Sequence, residues 1–300
     1  MLSVTILGNN SAVPAFNRHP TSQVVSLDGH SYLVDCGEGT QIQMIKYKIR
    51  RGKISHIFIS HLHGDHYFGL IGLLNTFNLL SHTQDLHVYG PAPLQSIIEM
   101  QMGVADTVLC YTLKFHTLTE AAVLVDDERI RISCFPTNHR IECYGFLFEE
   151  KPGKRKLLID KVEKLGIPIS FYSSLQNGLD YITAKGKTIA NDSVTASPER
   201  GKKYAFCADT RYEEKIIPYI YGADMIYHET TYLDAMSERA YERFHSTTKQ
   251  AAQIARKAMV KKLLIGHFSS KYSSLELFES EAKTVFPNTE IAAEGSSYGV

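Results

Sequence analysis

Four residues able to bind a metal fall within the run His61-Leu62-His63-Gly64-Asp65-His66: His61, His63, Asp65 and His66. The apolar Ile57-Phe58-Ile59 just before them reads as a buried strand. Past a strand end the chain turns freely. His61 and His63 can then converge on one point while Asp65 and His66 face a second. Zinc takes imidazole nitrogen at about 2.0–2.1 Å and carboxylate oxygen at about 2.0–2.2 Å. Such crowding suits one metal or an adjacent pair about 3.5–4 Å apart. The bland alternative is a polar, histidine-rich loop.

An apolar strand delivering a ligand-type residue at its end recurs along the chain. Arg129 to Phe135 runs into His139, and Tyr204 to Ala208 into Asp209. Met225 to Tyr227 ends at His228-Glu229, and Leu263 to Gly266 delivers His267. In layered α/β folds strand ends meet on one rim, so these positions are expected to converge. The other histidines (His19, His30, His56, His82, His87, His116) lack that context and read as surface or core residues.

The remaining elements are those of an α/β protein. Residues 2–7 alternate as a strand, and Asp28-Gly29 joins Gln23–Leu27 to Ser31–Val34 as a hairpin. After the turn 35–40, Ile42, Ile45 and Ile49 predict a helix whose end carries Lys46, Lys48, Arg50, Arg51 and Lys53. Those cations suit a helix C-terminus or, equally, a phosphate-facing patch. Helices are predicted over 67–80, 94–102 and 248–259, the last with capping-box spacing at Thr247 and Gln250. Further strands are predicted at 86–89, 111–118, 122–125 and 144–148.

The chain of 300 residues is 44% hydrophobic, enough for a sizeable core in one large domain or two small ones. Lys plus Arg (32) equals Asp plus Glu (32), so net charge alone indicates no nucleic-acid partner. Five scattered cysteines without a CxxC, and no apolar N-terminal signal, lead us to expect reduced thiols in a cytoplasmic protein. No apolar run approaches the roughly 20 residues of a membrane span. The texture changes at 150–200, which we read as an insertion within a single domain, 1–300. Residues 151–166 hold Lys151, Lys154, Arg155, Lys156, Lys161 and Lys164 against Asp160 and Glu163. This is a solvated loop or an arm that grips a polyanion.

The motif His61-x-His63-x-Asp65-His66, with His139, Asp209 and His267, resembles the metallo-β-lactamase superfamily. Within it the chain is similar to the ribonuclease Z family of tRNA 3′-processing endonucleases. Leu7-Gly8 through Pro14, Val34 through Gln41, and His245-Ser246-Thr247 match that family's patterns. The resemblance implies a four-layered αβ/βα sandwich with a dinuclear zinc site, two ions per subunit, although manganese or iron also suits these donors. It implies one metal on His61, His63 and His139, a second on Asp65, His66 and His267, and Asp209 bridging them. It further implies Asp65 as general base and His245, supported by Glu229, as proton donor to the leaving 3′ oxygen. The insertion would be the tRNA-binding arm, precursor tRNA the substrate, and a homodimer the assembly. The sequence departs from the family at Cys207-Ala208-Asp209-Thr210, at His228-Glu229-Thr230-Thr231, and around Ile169-Ser170-Phe171, where the arm's Gly-Pro signature is replaced. That last departure motivates an alternative, the same core acting on small phosphodiesters or other esters. A third reading is a non-catalytic RNA-binding metalloprotein.

Overall fold

The computed structural model describes residues 1–300. Two seven-stranded sheets carry most of the chain. The first contains β1 (Ser3–Gly8), β2 (Ser22–Leu27), β3 (His30–Val34), β4 (Ile54–Phe58), β5 (Leu86–Gly90) and β6 (Leu113–Thr117). The second contains β7 (Ala122–Asp126), β8 (Ile130–Pro136), β9 (Tyr144–Glu150), β10 (Lys203–Cys207), β11 (Met225–Glu229), β12 (Lys262–Gly266) and β13 (Thr289–Ile291). β14 (Ser297–Gly299) returns to pair with β1, so the chain's end closes the first sheet.

The inner faces of the sheets share one core. Val4, Val25, Val34 and Phe58 of the first sheet meet Ile132, Phe146, Tyr204, Tyr227 and Leu264 of the second. Each outer face is covered by helices. Leu70, Leu73 and Leu74, with Leu94 and Ile98, pack on the first sheet, and Ala252, Ile254, Ala255 and Phe278 on the second. The four layers are therefore helix, sheet, sheet, helix, as the sequence led us to expect. Strand alternation divides the side chains between layers: in β11, Tyr227 faces the shared core and Ile226 the outer one.

The hairpin is antiparallel as predicted, with Asp28 at φ 48° and Gly29 at φ 82°. Thr247 caps the helix Thr248–Lys257 in a full capping box with Gln250. The first helix departs from expectation. It spans Thr40–Lys46 and buries Thr40, Gln43 and Met44, while Ile42 and Ile45 are exposed. Gln43 goes inward because its amide donates to Leu7 O (2.8 Å) and to Glu294 Oε2 (2.9 Å). Only Lys46 lies in the last turn; Lys48, Arg50, Arg51 and Lys53 follow the helix.

β9 and β10 are antiparallel neighbours, with Phe146 opposite Phe206. The segment between them leaves and re-enters the sheet at adjacent points. Lys156–Leu157 pairs with Thr195–Ala196 near its base, and it has its own small core of Val162, Ile167, Leu175, Ile189 and Val194. No helix is long and apolar enough to cross a membrane.

Candidate metal centre

β8, β10, β11 and β12 run in one direction, since β8 and β10 are both antiparallel to β9 and β10, β11 and β12 are mutually parallel. Their C-terminal ends therefore share a rim. His139 follows β8, Asp209 follows β10, Glu229 ends β11 and His267 follows β12. From the facing sheet, Asp35 follows β3 and His61 follows β4, and the two turns are tied by Asp35 N–H to Phe58 O at 2.8 Å. Asp35 (φ 55°) and His267 (φ 60°) hold left-handed backbones, strain of the kind that collects at functional sites.

The structure brings all seven proposed ligands together in two overlapping groups. His61 Nε2 lies 2.9 Å from His63 Nδ1, which lies 3.1 Å from His139 Nε2. His66 Nε2 lies 3.2 Å from His267 Nε2, with Asp65 Oδ2 at 3.6 Å and 3.4 Å from these nitrogens. Asp209 stands between the groups. Its Oδ2 is 3.6 Å from His61 Nε2 and 3.8 Å from His139 Nε2. Its Oδ1 is 3.5 Å from His66 Nε2 and 3.2 Å from His267 Nε2.

These atoms fit a divalent metal site. Ring nitrogens facing one another this closely need a proton or a cation between them. Asp209 Oδ1 is buried with no hydrogen-bond donor, a costly state unless a positive charge sits beside it. Burial and neighbouring histidines press His61 well below its ordinary value and His63 to about 4, and burial depresses His139. Those rings are neutral at pH 7 and offer lone pairs. At the second group, burial opposes charge on His66, but Asp209, Asp65 and Asp35 outweigh it and carry the ring up to about 10. The carboxylates thus stabilise positive charge at that point, whether proton or metal. Burial likewise opposes charge on Asp65 and Asp209, but the histidines hold both carboxyls well below the usual range.

Outer contacts orient each ring, as ligating histidines require. Asp35 Oδ2 takes His66 Nδ1 at 2.7 Å and is fixed by Ser60 N–H (2.7 Å to Oδ1) and Ser60 Oγ (2.9 Å). Ser60 Oγ also lies 3.0 Å from His61 Nδ1. His139 Nδ1 donates to Phe244 O at 3.0 Å, and His267 Nδ1 lies 2.9 Å from Thr231 Oγ1. Ala12 N–H donates to Asp65 Oδ2 at 2.7 Å. His63 differs in facing the centre with Nδ1, while its Nε2 accepts from Arg140 Nε at 3.0 Å. That contact needs the proton on Nδ1; a cation held by Nδ1 would require the Nε2–H tautomer, in which Arg140 would have no acceptor there.

His245 lies beside this cluster, its Nδ1 3.1 Å from Glu229 Oε1 and 3.9 Å from Asp209 Oδ2. Burial lowers its proton affinity, but Glu229 and Asp209 more than offset that and raise the ring to about 9. Those carboxylates therefore favour the protonated ring. His63, Asp65, His139, Asp209 and His245 all line one cavity of about 710 Å³, with Arg140, Arg239 and Arg243 around it.

Some expected positions lie elsewhere. His228 ends an apolar strand like the others, yet alternation turns it away from the rim, and its Nδ1 bonds Glu229 O at 2.7 Å. Among the basic residues of the insertion, Lys151 is paired with Asp126, and Arg155 with Asp192, Thr195 Oγ1 (2.7 Å) and Ser197 Oγ (3.2 Å). Lys154, Lys156, Lys161 and Lys164 are exposed. Asp35, Ser60, Thr231, Phe244 and the Ala12 amide were not singled out as functional from sequence. Only Asp35 carried a signal, as a carboxylate directly after a strand.

The model of the Anti-Pycsar protein Apyc1 family matches residues 2–159. A ribonuclease Z of Bacteroides fragilis is 40% identical over 291 residues, covering 96% of each chain. A ribonuclease Z of Porphyromonas gingivalis is 41% identical over 294 residues, covering 97% of each. Among solved structures, the human short-form tRNase Z superposes with TM-score 0.73 at 27% identity over 99% of both chains. The metallo-β-lactamase fold protein YhfI of Bacillus subtilis superposes with TM-score 0.70 at 22% identity over 99% of this chain and 98% of its own. With near-complete coverage at about 40% identity, and the rim of one sandwich holding the clustered histidines and aspartates, the chain belongs to the ribonuclease Z family and has the metallo-β-lactamase fold.

Proposed function

We propose that this chain is a metal-dependent endoribonuclease that removes the 3′ trailer from precursor tRNA, leaving a 3′-hydroxyl. The observation that carries this reading is the split of Asp209, one oxygen to each histidine group, with a protonated His245 beside it. Five imidazoles and two carboxylates suit zinc first, and the two groups suit two ions per chain. His61, His63 and His139 would hold one, Asp65, His66 and His267 the other, and Asp209 would touch both. Bound there, such ions supply Lewis acidity and a water acidified into the neutral range.

The chain's own groups do the rest. Asp65, held by the Ala12 amide, accepts the proton of the attacking water. His245 gives its proton to the departing 3′ oxygen, a service typically worth 10²–10⁴-fold in rate. Glu229 fixes Nδ1 and favours the protonated ring, which leaves Nε2–H as the proton to be given. Arg140, Arg239 and Arg243 place positive charge around a cavity that would receive a phosphodiester. The insertion at 150–200 acts as the tRNA arm, with Lys154, Lys156, Lys161 and Lys164 toward the RNA backbone. Lys151 ties the root of the arm to β7 through Asp126, and Arg155 serves the arm's own structure through Asp192. The family resemblance supports a homodimer. Five free cysteines, Cys110 alone among them exposed, suit a reducing cytoplasm.

A substrate comparison tests the reading. Removing 151–200 is expected to cut turnover of precursor tRNA far more than turnover of bis-p-nitrophenyl phosphate. Equal losses on both would refute the arm. Vigorous cleavage of the small diester by the full chain, with none of precursor tRNA, would refute the substrate.

A further inference from the structure

The short helix Ser237–Glu242 ends in a Schellman motif. His245 N–H bonds Ala240 O at 2.8 Å and Phe244 N–H bonds Tyr241 O at 3.2 Å, with Arg243 as the C-cap. The residue after the cap takes a left-handed backbone there, which is why it is usually glycine. Here it is Phe244, at φ 61°. A bulky aromatic keeps that conformation only where its surroundings impose it.

Arg211 packs directly against this turn. Its guanidinium carbon sits 3.4 Å from the Phe244 ring centroid and 4.0 Å from that of Tyr241. Its Nε donates to Tyr241 O at 2.6 Å, the same carbonyl that closes the turn. Its backbone N–H donates to Asn138 O at 2.9 Å. One residue therefore ties together the turn that follows Asp209, the turn that carries His139, and the loop that presents His245. Phe244 in turn offers its carbonyl to His139 Nδ1 at 3.0 Å and directly precedes His245.

We infer that Arg211 is a positioning residue for the cleavage reaction: it clamps Phe244 in its left-handed turn and thereby sets where His245 and His139 stand. It does not line the cavity that His139 and His245 face, so its effect is passed on through those two residues. An Arg suits the task because its flat guanidinium stacks on a ring while Nε remains a directed donor, which Lys cannot match. The inference rests on the proposed function, because its readout is cleavage.

The test is a double-mutant cycle on precursor tRNA at saturating metal, with the full chain. Arg211→Ala is expected to lower kcat about 10- to 100-fold, the scale of an ångström's misplacement of a catalytic group, with KM within threefold. Arg211→Lys is expected to recover part of the loss. Phe244→Gly keeps the turn but removes the ring, and should lose kcat comparably. The double variant should be no worse than the poorer single one, since the two act as a unit. In metal-free protein, amide exchange at 240–246 should quicken in Arg211→Ala while the sheets stay protected. Should Arg211→Ala fail to fold, Arg211→Lys and Phe244→Gly carry the test. Variant kcat within threefold of wild type, multiplying losses, or unchanged exchange would overturn the clamp. Absence of cleavage by the wild-type protein would instead overturn the proposed function.

Discussion

Glu229 receives His245 Nδ1 at 3.1 Å on a carboxylate that is itself fully buried. Four further donors converge on that carboxylate: Thr231 N–H and Oγ (both 2.9 Å), Ser246 N–H (2.8 Å) and Thr210 N–H (3.2 Å). Such donors keep Glu229 ionised, and the ionised form keeps His245 protonated. Glu229→Gln preserves shape and removes the charge. We predict a kcat loss on precursor tRNA of about 10²-fold or more with KM within threefold, within the range of a lost general acid. Steady-state kinetics that show kcat within threefold of wild type would leave Glu229 without a part in catalysis.

Asp35 touches no reacting group, but its Oδ2 stands 2.7 Å from His66 Nδ1. Asn tolerates the left-handed backbone at this position, so Asp35→Asn isolates the charge. Metal affinity should fall about 10- to 100-fold, as for other outer partners of ligating histidines. Competition against a graded series of chelators measures this, and an affinity equal to wild type contradicts it.

Salt dependence tests the arm. Replacing Lys154, Lys156, Lys161 and Lys164 with Gln should weaken precursor tRNA binding. It should also flatten the plot of log affinity against log salt by about 0.7–0.9 for each phosphate that the variant no longer neutralises. Cleavage of bis-p-nitrophenyl phosphate should not change. An unaltered slope would place the RNA elsewhere on the protein.

A pH effect on stability follows from the histidine stack outside the metal centre. His56 lies 4.8 Å from His87, which stands 5.1 Å from His116, ring over ring. Burial first, then His87 and His116, lower His56 to about 4, with Asp127 opposing. The folded value is below the ordinary 6.5 of the unfolded chain, so the unfolded chain binds the extra proton. Stability should therefore fall as pH drops from about 6.5 toward about 4. Discounted for partial exposure, the loss specific to His56 between about pH 7 and 5 is about 1 kcal/mol. Urea unfolding of wild type and His56→Phe at both pH values should show it as a difference between the two proteins. Parallel curves would contradict it.

Much of the site was legible because strand periodicity and ligand type are both local signals. An apolar run followed by His or Asp marked the places where His61, His139, Asp209 and His267 leave the sheets. The same rule misplaced His228, because alternation decides which face a strand's last residues take, and a one-residue difference separates it from Glu229. The first helix misled for a related reason. Its isoleucines gave the helical spacing but not the inward face, because a buried Gln43 bonded to Leu7 and Glu294 decided the orientation, and those partners are remote in sequence. Phe244 and the Ala12 amide act through contacts that close only on folding, so no spacing announced them, whereas Asp35 was marked only by its place directly after a strand.

The central question is whether the paired histidine groups hold two cations joined by Asp209. Metal analysis of the purified chain, with Asp209→Ala beside it, measures this directly. We predict close to two ions per wild-type chain, a marked loss in Asp209→Ala, and loss of precursor tRNA cleavage in step with the metal. A wild-type chain that cuts precursor tRNA with no bound metal, or an Asp209→Ala variant that keeps both ions, would contradict it.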